Sequence, residues 1–188
     1  MKYRHPMFLD KQDAVLVVVD IQEKLFKTMA ATCQENILKN VPILLAAADE
    51  LEIPVIVSEQ YPRGIGPTIA PLKKKITKAE YIEKVDFAAT EVNDFTKALA
   101  KAKRRQVILV GMETHICVYQ TALGLLELGF DVHVPEDALA SRIIENYDAG
   151  VSLLLQAGAV VSSTEAILFQ LLKRSGSESF KRLQKLII

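Results

Sequence analysis

Five aliphatic residues in a row, Val15-Leu16-Val17-Val18-Val19, stop at Asp20. A run without polar alternation has no face to offer water, so it belongs in a sheet covered on both sides. Four more runs of this kind follow: Pro54-Val55-Ile56-Val57-Ser58, Gln106-Val107-Ile108-Leu109-Val110, Phe130-Asp131-Val132-His133-Val134 and Ala159-Val160-Val161. A weaker extended stretch over 80–85 makes a sixth candidate strand. Between the runs, helical periodicity covers 35–51, 93–103, 114–128, 146–156, 164–172 and 180–187. Pro42 forces a kink or late start in the first of these, and Gly129 stops the third. Strands that alternate with helices predict an α/β architecture, a parallel sheet with helices on both faces. The 188 residues show no linker or internal repeat, so one domain over 1–188 is expected.

Twenty-three Lys plus Arg balance twenty-three Asp plus Glu. That balance argues against a chain built mainly to hold nucleic acid or an anionic membrane. No apolar run approaches the length of a membrane span. Two cysteines, Cys33 and Cys117, are too few for a disulfide framework and suit a reducing, cytoplasmic compartment. The basic run 101–105 closes a helix, where cations complement the dipole. The amphipathic tail 180–188 has two open readings, packing on its own body or on a second subunit.

In an open parallel sheet, ligands bind beyond the carboxyl ends of the strands, where strand order reverses. That rule selects Asp20 after the first run, Ser58 to Tyr61 after the second, Lys84 at the end of the weak stretch, and Gly111 to Cys117 after the fourth. Taken singly, each has an ordinary structural reading: a turn aspartate, a surface lysine, a small buried thiol. Together on one rim they make a proton acceptor, a cation and a nucleophile. Cys117 follows a strand end into the first turn of a helix, where unpaired N–H groups and a neighbouring ammonium favour thiolate. Asp20 would accept the thiol proton and return it to a departing amine. Cys33 has no such company and reads as structural.

Asp20 within Val18-Val19-Asp20-Ile21-Gln22, Lys84 within Glu83-Lys84-Val85-Asp86-Phe87, and Gly111-Met112-Glu113-Thr114-His115-Ile116-Cys117-Val118 resemble the three signatures of the isochorismatase-like cysteine hydrolases. The resemblance runs from about Asp13 to the C-terminus. It implies a three-layer αβα fold with a six-stranded, mostly parallel sheet and a triad of Asp20, Lys84 and Cys117. It also implies a cis peptide at Met112–Glu113 that aims the backbone N–H groups of Glu113 and Cys117 at a developing oxyanion. Many members of that family are dimers or larger, so a homo-oligomer is expected.

Metal-containing nicotinamidases of that family carry an Asp and several His residues after the second strand. Here the region reads Ser58-Glu59-Gln60-Tyr61-Pro62-Arg63-Gly64-Ile65-Gly66, and His5, His115 and His133 are scattered, so neither metal nor cofactor is expected. True isochorismatases lack the cysteine, whereas Cys117 is present. The chain looks more like the short isochorismatase domain-containing group. The chemistry then points to a small-molecule amide, carbamoyl group or related C–N bond. Glu59, Gln60 and Tyr61 are candidate polar contacts for that substrate, and Phe26 and Phe87 a candidate apolar wall. Phe87 reads equally well as core, and Tyr61-Pro62 as a turn. Two other classes compete: a non-catalytic interaction module that retains the fold, and a nucleotide- or flavin-binding domain. The second lacks a glycine after the first strand for close phosphate approach.

Overall fold

The structure, a computed structural model, describes residues 5–187. Seven strands form one parallel sheet: β1 (Ala14–Val19), β2 (Val55–Gln60), β3 (Glu80–Lys84), β4 (Gln106–Met112), β5 (Asp131–Pro135), β6 (Leu139–Ala140) and β7 (Val160–Ser162). Six of them run in the order β3-β2-β1-β4-β5-β7, and the two-residue β6 pairs with the end of β4. The six expected strands are therefore present, with β6 as an addition too short to leave a hydrophobic signature. The helices are α1 (Glu23–Phe26), α2 (Ala31–Glu50), α3 (Pro62–Ile65), α4 (Ala70–Lys73), α5 (Asn93–Ala102), α6 (Tyr119–Glu127), α7 (Ile144–Gln156), α8 (Thr164–Leu172) and α9 (Glu178–Leu183). None among the described residues is long and apolar enough to cross a membrane.

The unbroken apolar strands are explained by two cores. Leu16 and Val18 of β1 face one cluster, built with α2, α8 and α9. Val15, Val17 and Val19 face the other, built with α5, α6 and α7. Every residue of β1 is buried, and each such Val or Leu is worth about 1.5–3 kcal/mol. Pro42 lies inside α2, which nevertheless begins at Ala31, ahead of the expected start. The tail packs on its own body. Leu183 is buried, and Ser179 and Arg182 bond to Glu50 at the end of α2. Ile188 lies outside the described residues.

The path of the chain makes the site. From β1 it moves outward to β2 and β3, then crosses back to lay β4 on the other side of β1. Strand order therefore reverses between β1 and β4, and a crevice opens beyond their carboxyl ends. Gly111 makes this junction tight: its φ is 128°, and a Cβ there would stand 2.0 Å from the Val19 carbonyl oxygen. The helix expected over 114–128 is divided into a π-helical turn, Thr114–Val118, followed by α6.

Candidate active site

Asp20 turns off the end of β1 with a left-handed φ of 52°, a conformation that aspartate tolerates better than most residues. Its carboxylate is fully buried. Register supplies its partners. Val19 lies beside Ser58, and Gln60 beside Lys84, so three adjacent strands deliver polar ends to one place. The Lys84 Nζ donates to Asp20 Oδ2 at 2.7 Å, and the Ser58 hydroxyl donates to Asp20 Oδ1 at 2.7 Å. Lys84 also donates to Gln60 Oε1 at 2.6 Å and to the carbonyls of Asp86 and Phe87 at 3.3 Å. Both side chains of the ion pair are 0% exposed. An ammonium so buried is tolerated because an opposite charge and fixed dipoles replace its water.

Cys117, the fourth residue of the π-helical turn, is 7% exposed, and its thiol lies close enough to Asp20 and Lys84 to feel both charges. Burial, reinforced by the Asp20 charge, pushes the thiol up to about 12, while Lys84 pulls it down. The resting group is therefore a thiol facing a carboxylate. This differs from the thiolate that a helix start alone would favour, because desolvation outweighs the ammonium at this depth. The difference in 240-nm absorbance between wild type and Cys117→Ala should stay flat through pH 10. A thiolate signal with a midpoint below pH 8 would contradict this resting state.

A model of the isochorismatase domain matches residues 14–166. The chain belongs to the isochorismatase family. Isochorismatase domain-containing protein 2 of Xenopus laevis is 35% identical over 184 residues, covering 96% of this chain and 86% of that protein. Among solved structures, the MAR1 ribonuclease of Caenorhabditis elegans is 35% identical, with a TM-score of 0.89 and coverage of 96% of this chain and 92% of that one. YcaC is similar at 28% identity and a TM-score of 0.89. The Escherichia coli protein, described as an octameric hydrolase of unknown specificity, is covered over 96% of this chain and 91% of that one. The Pseudomonas aeruginosa protein, with hexane-2,5-diol and covalent acrylamide, is covered over 95% and 91%.

In this isochorismatase-family chain the Met112–Glu113 peptide is cis. The Glu113 side chain is taken up by Arg142: Oε1 accepts from Arg142 Nε at 2.8 Å and Oε2 from the Arg142 backbone N–H at 3.1 Å. The other expected contacts divide into two groups. Tyr61 and Phe87 are exposed, at 56% and 54%, on the rim that also carries Val85. Phe26 is half-buried at the end of α1, packed against the α2 core. Glu59 instead holds the following loop, its Oε1 accepting from the Thr68 N–H and hydroxyl at 2.7 Å each. The Gln60 amide is bound on both sides, by Lys84 and by the Val85 carbonyl. A depression of about 500 Å³ beside Lys84 is lined in part by Tyr61, Arg63, Val85 and Asp86.

Sequence reasoning placed Ser58 on the binding rim without a role of its own, and gave Gln22 none. Gln22 is fully buried: its Nε2 donates to the carbonyls of Gln60 (3.0 Å) and Gly66 (2.6 Å), and its Oε1 accepts from the Gln60 N–H (2.7 Å). A Gln two residues after a strand-ending Asp was visible, but nothing local revealed which loop it would hold. Among the described residues, no group of three or more His, Cys, Asp and Glu is arranged to hold a metal ion.

Proposed function

We propose that this chain is a cysteine hydrolase that cleaves a small-molecule amide, carbamoyl group or related C–N bond. The observation that carries this reading is the buried Asp20–Lys84 ion pair at the sheet's switch point, with the buried Cys117 thiol within reach of both charges. As the sulfur attacks the sp² carbon, Asp20 accepts its proton. Lys84 holds the carboxylate in line and stabilises the developing thiolate. The backbone N–H groups of Glu113 and Cys117 receive the oxyanion, a contribution of about 10²–10³ in rate for each such donor. Asp20 then passes the proton to the departing amine, leaving an acyl group on sulfur. Water, losing a proton to Asp20, attacks that thioester and releases the acid. Tyr61, Phe87 and Phe26 form the wall of the entry, while Gln60 and Glu59 support it from within. No cofactor enters this scheme.

The covalent acrylamide on the Pseudomonas aeruginosa relative supports a site that accepts electrophiles of amide type. The octameric Escherichia coli relative supports assembly of this chain into a homo-oligomer. We place the protein in the cytoplasm, where a reduced thiol persists.

Intact-mass analysis after exposure to acrylamide tests the reading. A first adduct mapped to Cys117, formed ahead of any at Cys33 and lost in Asp20→Asn, is expected. Modification confined to Cys33 would overturn it. A hydrolysis panel of small amides and carbamoyl compounds, with an RNA arm, then separates the proposal from its rivals. No turnover of any small molecule points to a non-catalytic module, and cleavage of RNA points to a different substrate class.

A further inference from the structure

The shortest strand pairs with the end of the strand that leads into the nucleophile's turn. β5 pairs with β4 only over Gln106 to Ile108, and β6 takes its place at the far end, with Leu139 beside Gly111 and Ala140 beside Met112. The next two residues, Ser141 and Arg142, thereby come alongside the start of the turn that carries Cys117. The Ser141 hydroxyl, 2% exposed as a residue, accepts the Thr114 N–H at 3.1 Å and lies 3.0 Å from His115 Nδ1. Arg142 holds Glu113 by two hydrogen bonds. From the outer side α7 closes on the same peptides: a Cβ at Gly150 would stand 2.8 Å from the His115 nitrogen and 2.9 Å from the Thr114 carbonyl carbon.

We infer that Ser141 is a positioning residue for the Cys117 nucleophile, with Arg142 as its support, and that β6 serves to deliver the pair. The inference rests on Cys117 as the nucleophile and adds what holds it in place. Three contiguous residues, 113–115, are gripped from one side by hydrogen bonds and from the other by close backbone packing. Thr114 is fully buried, so its N–H has no water to turn to once the hydroxyl is gone. A free Thr114 peptide lets the turn shift, and displacements near 1 Å at a reacting atom cost about 10²-fold in rate.

The test uses the full chain and acrylamide, with Cys33 as an internal reference. In Ser141→Ala the rate of Cys117 modification should fall about 10–100-fold while the Cys33 rate is unchanged. Ser141→Thr, which keeps the hydroxyl, should restore most of the loss. On any amide the wild type turns over, the fall should appear in kcat with KM little changed. A Ser141→Ala protein that modifies Cys117 at the wild-type rate overturns the positioning role. A wild-type Cys117 no faster than Cys33 overturns the nucleophile itself, and the positioning role with it. Should Ser141→Ala fail to fold, Arg142→Gln decides. Its side chain is half exposed, and loss of the Nε bond should lower the Cys117 to Cys33 rate ratio, while an unchanged ratio counts against the clamp.

Discussion

A Cys117→Ala protein is expected to fold normally and to lose at least about 10⁴-fold in turnover of any amide the wild type accepts. Without the sulfur no acyl-enzyme forms, and what remains is the modest help of oriented donors acting on bound substrate. The fold should survive because the side chain is small and alanine suits the turn that leads into α6. The lost packing costs about 1 kcal/mol. Asp20→Asn separates proton transfer from bond formation. It keeps the shape of the carboxylate but has no basic oxygen, so a loss of about 10²–10⁴-fold is expected. Rates and melting temperatures measured together check both variants. A folded Cys117→Ala protein within tenfold of wild type would remove the thiol from the chemistry.

The second large effect falls on stability. Lys84→Met should destabilise the protein by about 3–5 kcal/mol, because it leaves the buried Asp20 carboxylate without its counter-charge. Ser58 alone cannot replace an ammonium that also ties Gln60 and the 86–87 carbonyls together. The double variant Lys84→Met, Asp20→Asn should recover a large part of that loss, since no buried charge is then unpaired. Neither variant should be active. Urea unfolding with an unchanged slope gives the comparison directly. A double variant no more stable than Lys84→Met would show that the cost lies in packing rather than in the stranded charge.

The fold and the placing of Asp20 and Lys84 on one rim were legible for the same reason. Apolar runs announce strands buried on both faces, and whatever follows such a run stands at the binding rim. Asp20 and Cys117 follow such runs and Lys84 ends the weaker stretch 80–85, although about sixty residues separate the first two in the chain and about thirty Lys84 from Cys117. Register was not legible. Which residue of β2 lies beside which residue of β3 depends on intervening helices and loops, so Gln60 read as a ligand contact although its amide is bound to Lys84 and Val85. Glu59 read the same way, although its oxygen holds Thr68. Ser58 passed as the polar end of a strand. The depth of the thiol was not legible either, because sequence reveals the start of a helix but not how far inside the fold it begins. The two residues of β6 carry no periodicity at all, and their role emerges only from what they pair with.

The Gln22 amide has one further consequence. It fastens both ends of the stretch from Gln60 to Gly66, which includes Tyr61 and α3, to the strand that bears Asp20. The Gln22 side chain thus ties the entry loop to the reaction site at both of the loop's ends, beside the bonds from Lys24 to Gly64 and from Lys84 to Gln60. Substitutions among the five residues between those anchor points should therefore change which molecules are admitted while the groups around Cys117 keep their places.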